Sequence, residues 1–240
     1  MKRKRARKEK SNSFNRYVLI LFASLAFLIA LADRAPIDLE SVARDVVISE
    51  RFVYYWQGVV FRFFPGPYVY RVFVPYLIWG INRITSFDLI SIDFFLKISF
   101  LFGAQVFLYK YLRCFFDRLQ SFSGVLLFDA MFGYLLSFIK GPSVIETIDI
   151  LNVLFLSAGL LAMWKKRFIE LGFILVIGLL NRETPLILLP ILFATAWREK
   201  EELKSVAVIS FVAMLAFVAP RLLIPTWTDP MWFNTDELKA

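Results

Sequence analysis

The chain has 240 residues, of which 59% are hydrophobic and 18% aromatic, while only 20% carry charge. Helix-length apolar runs separated by short basic patches exclude a water-soluble globular domain and indicate a polytopic membrane protein. With no histidine and one cysteine, Cys114, the chain excludes an intrachain disulfide, a Cys/His zinc site, histidine-assisted nucleophiles and histidine-ligated haem. Catalysis, where there is any, falls to carboxylates, Arg, Lys, Tyr or a bound divalent cation, and no metal site is assigned.

In chain order, residues 1–16 form a basic tail in which seven of the first ten residues are Lys or Arg, "MKRKRARKEK". Placed directly before an apolar run, this tail accounts for much of the net charge of +8 without a nucleic-acid partner. It predicts a cytoplasmic amino terminus near anionic lipid. The first span covers about 17–32, and the lack of a small-x-small cleavage site after it favours a retained anchor over a signal peptide. A long outer loop, 33–85, follows. Its first part carries Asp33, Asp38, Glu40, Asp45 and Glu50; its second, "VYYWQGVVFRFFPGPYVYRVFVPYLIWG", is aromatic and reads as interfacial amphipathic helix. "PGP" (65–67) is a turn, and Pro75 argues against one uninterrupted helix there.

Further spans are expected at about 87–109, 122–139 and 145–164, then as a split run, 168–180 and 185–197, and finally at about 206–223. The fold expected is an all-α bundle of about seven spans, a single transmembrane domain over 17–225 with an outer tail at 226–240. In this topology 17 of the 28 basic residues are cytoplasmic and ten are outside, six of those in the first loop. Cys114 then lies on the cytoplasmic side as a reduced structural thiol.

Neither half of the split run, "IGLLNRETPLILLP" at its centre, reaches the ~20 residues that a span needs. Its turn therefore sits below the outer surface, where irregular backbone requires a protein-lined cavity. Thr184 before Pro185 reads as a helix cap whose terminus and N–H groups favour an anion. Arg182 adds a permanent charge and a planar fork of donors suited to phosphate. Glu183 could hold Arg182, bind a divalent ion or face solvent; alternatively Arg182 and Glu183 form a loop ion pair that snorkels to the surface.

Asp149 lies just inside the outer end of its span, with Glu146 and Asn152 three residues away on either side and roughly on one helix face. It is either a functional acid or the structural partner of a nearby Arg or of Lys140. Asp129, nearer mid-membrane, reads as packing glue with Lys97. Arg71 and Arg221 are also expected outside, so Arg71, Asp149, Arg182, Glu183 and Arg221 form the candidate binding cluster.

Three segments resemble a known pattern: "PYVYRVFVPYL" (67–77), "ETIDILNVLFLSAGLLAMWKKR" (146–167) and "LGFILVIGLLNRETPLILLP" (171–190). In this order they resemble a group of bacterial polytopic membrane proteins similar to the GT-C class of polyprenyl-phosphate-sugar-dependent glycosyltransferases. The resemblance covers roughly 33–195 and implies an inner-membrane enzyme taking a sugar from a polyprenyl-phosphate donor at the outer face. It implies that Arg182, where better-known members carry a lysine, is the phosphate ligand. It also implies a catalytic acid in the first outer loop, with Asp45 or Asp38 as candidate base. The nearest analogue of the acidic loop motif, "RDVVISERFVYYW", leaves the assignment between Asp45 and Glu50 open. The chain also has fewer spans than is usual for the class. The alternative is a non-enzymatic protein, a transporter or flippase of lipid-linked intermediates or an assembly subunit.

Overall fold

The computed structural model describes residues 16–31, 71–138, 147–196 and 200–223. Asp38, Asp45 and Glu50 lie outside the described residues, as do Glu146, Lys140 and the tails at 1–15 and 224–240. The described part is all-helical: α1 Arg16–Leu31, α2 Phe73–Thr85, α3 Leu89–Leu112, α4 Arg118–Phe138, α5 Thr147–Trp164, α6 Phe168–Asn181, α7 Leu188–Ala196 and α8 Lys200–Leu223. A 3-10 turn, Thr184–Ile187, leads into α7. Among the described residues there is no strand.

Among the described residues, three helices are long and apolar enough to cross a membrane: Leu89–Leu112, Thr147–Trp164 and Leu203–Leu223. This is a helical membrane protein, and the full expectation of seven spans is only partly met. The apolar segments Arg16–Leu31, Phe168–Asn181 and Thr184–Ala196 are shorter. At 14 residues, α6 is about 21 Å long against a hydrocarbon core of ~30 Å. The split expected within 168–197 is thus present as two short apolar helical segments joined by the 182–187 turn.

α5 is the centre of the bundle. It packs chiefly on α3 and α6, and α6 packs in turn on α8. Inside a bilayer the lipid competes with every apolar side chain, so helix association depends on close packing and polar contacts. α5 supplies the small surface for this in Ser157, Ala158, Gly159 and Ala162, all buried. Leu188 of α7 packs directly over Gly159, and Leu154 of α5 packs over Gly103 of α3. By contrast α8 leaves Val208, Phe211, Met214, Leu215, Leu222 and Leu223 exposed, an apolar face suited to lipid.

Helix ends follow local chemistry. Asp88 caps α3 by accepting the Ser91 N–H at 2.8 Å, and hydrogen bonding from Ser91 holds its carboxyl below the ordinary range. α5 ends at Trp164, and the turn after it passes through Lys166, which has φ 54°, so that the Arg167 N–H bonds the Ala162 carbonyl at 2.8 Å. Pro75 and Pro190 lie in the first turns of α2 and α7, where the missing N–H costs least. α2 is amphipathic, as expected: Val74, Pro75 and Ile78 are buried, while Tyr76, Trp79 and Arg83 face outward, with Arg83 5.4 Å from the Trp79 ring centre.

Antiparallel packing sorts the polar groups by end. The start of α5 and the ends of α6 and α8 meet at one end of the bundle, next to Arg71 and α2. The turn at 113–117 lies at the other end, where Phe115 stacks 4.4 Å from Trp164 at the end of α5.

The hairpin closes because Gly178 has no side chain. A Cβ there would lie 2.9 Å from Cγ of Pro185 and 3.4 Å from the Phe155 ring. A proline ring cannot rotate away, so Gly178→Ala is expected to destabilise the protein by about 1–3 kcal/mol. Gly80→Ala, whose Cβ meets nothing within 4 Å, is expected to be neutral or stabilising by up to about 1 kcal/mol. Thermal unfolding of both variants in detergent checks the contrast.

Candidate functional site

The junction between α5 and α6 builds the site. Asn181, the last residue of α6, is fully buried. Its Nδ2 donates to the Ile148 carbonyl at 3.0 Å and to Asn152 Oδ1 at 3.3 Å, both on α5. The residues that follow on each chain segment, Arg182 and Asp149, are thereby brought together, and the Arg182 guanidinium makes a direct ion pair with the Asp149 carboxylate. Arg182 leaves the helix in extended conformation, its N–H bonded to the Gly178 carbonyl at 2.8 Å.

Glu183 turns to other partners. One carboxylate oxygen lies 3.9 Å from Arg71 Nη2, and the other 4.0 Å from Arg221 Nη2. Arg221 is steadied by its own helix: Nη1 donates to the Phe217 carbonyl at 2.7 Å and the guanidinium lies 3.7 Å from the Phe217 ring centre. The Arg71 side chain is only 11% exposed, whereas Glu183 is 44% exposed. All five residues of the candidate cluster therefore meet at one end of the bundle, three arginines against two carboxylates.

An apolar groove of about 490 Å³, lined by Val72, Phe73, Tyr76, Leu77 and Leu180, flanks this cluster. Val72 directly follows Arg71, and Leu180 precedes the Asn181–Arg182 corner. Cationic donors thus stand beside a hydrophobic trough between α2 and the end of α6. Among the described residues, no group of three or more His, Cys, Asp or Glu could hold a metal ion.

Several expectations are revised. Thr184 does not cap the second half of the hairpin; it is the first residue of the 3-10 turn, behind Glu183, and no side chain caps that turn. The first N–H groups of the turn are thus left without a side-chain cap, and the formal positive charge at the corner is that of the arginines. Glu183 does not hold Arg182, because the extended backbone at Arg182 sends the two side chains to different partners. Asp129 does not meet Lys97. Counted from the turn at 113–117, Asp129 and Gln105 lie about 18 and 12 Å deep, but Lys97 about 24 Å. Gln105 Nε2 accordingly donates to Asp129 Oδ1 at 2.9 Å, and Lys97 lies 3.5 Å from Asp93 one turn earlier on α3. The Thr147 hydroxyl donates to the same Asp93 carboxylate.

Asn181, Thr147 and Gln105 were given no role by the sequence reading. Their only signal is an uncharged polar residue within an apolar run, where water is absent and a partner is required. Protein-family models, curated proteins and solved structures all give no match to this chain.

Removing the Asn181 carboxamide leaves two acceptors on α5 without their donor. Asn181→Leu is expected to destabilise the protein by about 1–2 kcal/mol, measured by denaturant unfolding in micelles. It is also expected to loosen the Arg182–Asp149 pair, read as faster proteolysis at the 182–187 turn.

Proposed function

We propose that this protein is a membrane glycosyltransferase similar to the GT-C class, taking a sugar from a polyprenyl-phosphate donor at the outer face of a bacterial inner membrane. The observation that carries the proposal is the arginine cluster standing beside the apolar groove. An anionic head with a long apolar chain is the ligand chemistry that matches both surfaces. Phosphate would be received by Arg182, with Arg71 and Arg221 completing the positive field. As sugar-phosphate departs from the donor, negative charge grows on the phosphate oxygens, and fixed guanidinium donors stabilise that charge. The acceptor hydroxyl would lose its proton to a loop acid, Asp45, Asp38 or Glu50.

The proposal includes a topology of seven crossings with a cytoplasmic amino terminus, in which α6 and the 3-10 turn with α7 form the split pair. A second reading is favoured by one observation: both described acids of the cluster, Asp149 and Glu183, are engaged by arginines. A protein that binds or moves lipid-linked intermediates without chemistry needs no base at all.

Arg182→Ala is expected to weaken binding of a polyprenyl phosphate in nanodiscs roughly 10- to 100-fold, the loss of a hydrogen bond to a charged group. Tight binding that is unaffected by the substitution would overturn the phosphate assignment. Turnover of a polyprenyl-phosphate-linked sugar separates the two readings: transfer lost in Asp45→Asn or Glu50→Gln supports the enzyme, and binding without transfer supports the carrier. For the topology, Cys114 is the native reporter, since it lies in the turn between α3 and α4 and is partly exposed. A membrane-impermeant maleimide is expected to label it in inverted vesicles and not in right-side-out cells.

A further inference from the structure

We infer that Asp129 and Gln105 form a proton-binding site inside the bundle: Asp129 is held as the neutral acid, and its proton closes a reciprocal pair of hydrogen bonds that ties α4 to α3. The inference does not depend on the phosphate-lipid reading above.

Its ground is a count of donors and acceptors. Gln105 is fully buried and Asp129 is 6% exposed. One bond joins them, from Gln105 Nε2 to Asp129 Oδ1 at 2.9 Å. Two buried oxygens, Gln105 Oε1 and Asp129 Oδ2, are left with no hydrogen-bond partner. Both are acceptors, and an ionised carboxylate has no donor to offer. Turning the amide over does not help, because it sets Oε1 against a carboxylate oxygen. A single proton on Oδ2 satisfies both orphans at once: the acid O–H donates to Oε1 while Oδ1 keeps its N–H. Each orphan oxygen shares a planar group with one of the bonded atoms, so closing the second bond asks for small rotations only.

Among the described residues, no cation takes the place of that proton. A carboxyl in apolar surroundings stays neutral unless a positive charge stands beside it. The clusters around this contact are apolar, with Leu101, Phe102 and Val106 on α3, and Val125 and Phe128 on α4. On α3, Lys97 is about 12 Å along the helix from Gln105 and is paired with Asp93. Tyr109 packs edge-on against Phe22, and Lys110 and Tyr111 lie in the last turn of α3. On α4 itself, Arg118 is about 16 Å along the helix from Asp129. α1 has Arg16 and Tyr17 at its start, and α5 has Asp149, which is engaged by Arg182. A metal cation fits less well than a proton, because hard cations take about six or more oxygens and two are orphaned here.

The proton has a mechanical consequence. α4 leaves Leu119, Leu126, Leu127 and Met131 exposed, so it is held from one side. It approaches α3 closely at Gly124, over which Leu112 packs, and the Asp129–Gln105 pair is a polar tie further along. Loss of the proton sets an anionic oxygen against Oε1 with no hydrogen between them. The folded state binds a proton that an unfolded carboxyl releases at neutral pH, so docking of α4 weakens as pH rises.

The test is infrared spectroscopy of the full chain in nanodiscs at about pH 7, where ordinary carboxyls are ionised and a retained acid shows its own C=O band. Wild type is compared with Asp129→Asn and Gln105→Leu. Asparagine preserves the reciprocal pair without the acid proton, so Asp129→Asn is expected to fold and to lose the band. Gln105→Leu is expected to shift the band, because the acid loses its partner. Denaturant unfolding is expected to show wild type losing more stability than Asp129→Asn between about pH 6 and about pH 9. A wild-type spectrum without the band overturns the inference, as does a band that Asp129→Asn leaves in place. An unshifted band in Gln105→Leu overturns the pairing, and equal pH dependence in wild type and Asp129→Asn overturns the tie. A band that disappears when sodium replaces choline at fixed ionic strength also overturns the inference, since the oxygens then hold a metal cation.

Discussion

The arrangement at the arginine-rich end of the bundle depends on one carboxamide. Asn181 ends α6 fully buried, and in an apolar surrounding its donors must find acceptors on a neighbouring helix or leave a costly unsatisfied group. The Ile148 carbonyl and Asn152 Oδ1 provide them. That bond sets the height and rotation of α6 against α5, and the chain then leaves the helix in extended form. Arg182 and Glu183 are consequently delivered to opposite sides of the corner. A slip of one residue along α6 would turn Asn181 by about 100° and break the junction.

A second constraint is the handling of charge inside an apolar bundle. Among the described residues, each buried ionisable group has a partner within reach: Lys97 has Asp93, Asp93 also has Thr147, and Asp129 has Gln105. These contacts are spaced along α3 and tie it to α5 on one side and α4 on the other. They are surrounded by apolar clusters, so they specify registry where uniform Leu, Ile and Phe packing would not. At the end that holds Arg182 the same logic gives three arginines and two carboxylates, but with one difference: the groups there remain partly exposed. Partly exposed ion pairs contribute little to stability, roughly 0.2–1 kcal/mol each. This cluster is therefore not what holds the bundle together.

Much of the helical framework was legible in the chain. The apolar runs end within a few residues of the observed helices, the split of the hairpin at "NRET" is present, and α2 is amphipathic as its aromatic pattern implied. The grouping of Arg71, Asp149, Arg182, Glu183 and Arg221 at one end also followed from the sequence, because antiparallel spans return polar ends alternately to each side. The pairings within the group did not follow. Adjacency leaves Glu183 open as a partner of Arg182, a cation ligand or a solvent-facing acid, and the place of Thr184 before Pro185 suggests a cap; the extended backbone at Arg182 and the 3-10 turn give Glu183 other partners and Thr184 no capping role.

The sequence by itself determined the class of protein, the approximate position of the described helices and the common end of the bundle to which Arg71, Asp149, Arg182, Glu183 and Arg221 belong. Those properties depend on the transfer of single segments between water and lipid, and hydropathy along the chain records that directly. Only the tertiary structure decided that Lys97 meets Asp93, that Gln105 meets Asp129, that Asn181 fixes the corner, and that Glu183 stands between Arg71 and Arg221. The reason is that α3, α5 and α6 are apolar on nearly all faces, so their sequences carry no label for the side that meets a neighbour. Rotation and depth are then set by a few polar contacts between residues far apart in the chain, and these exist only once the helices are packed.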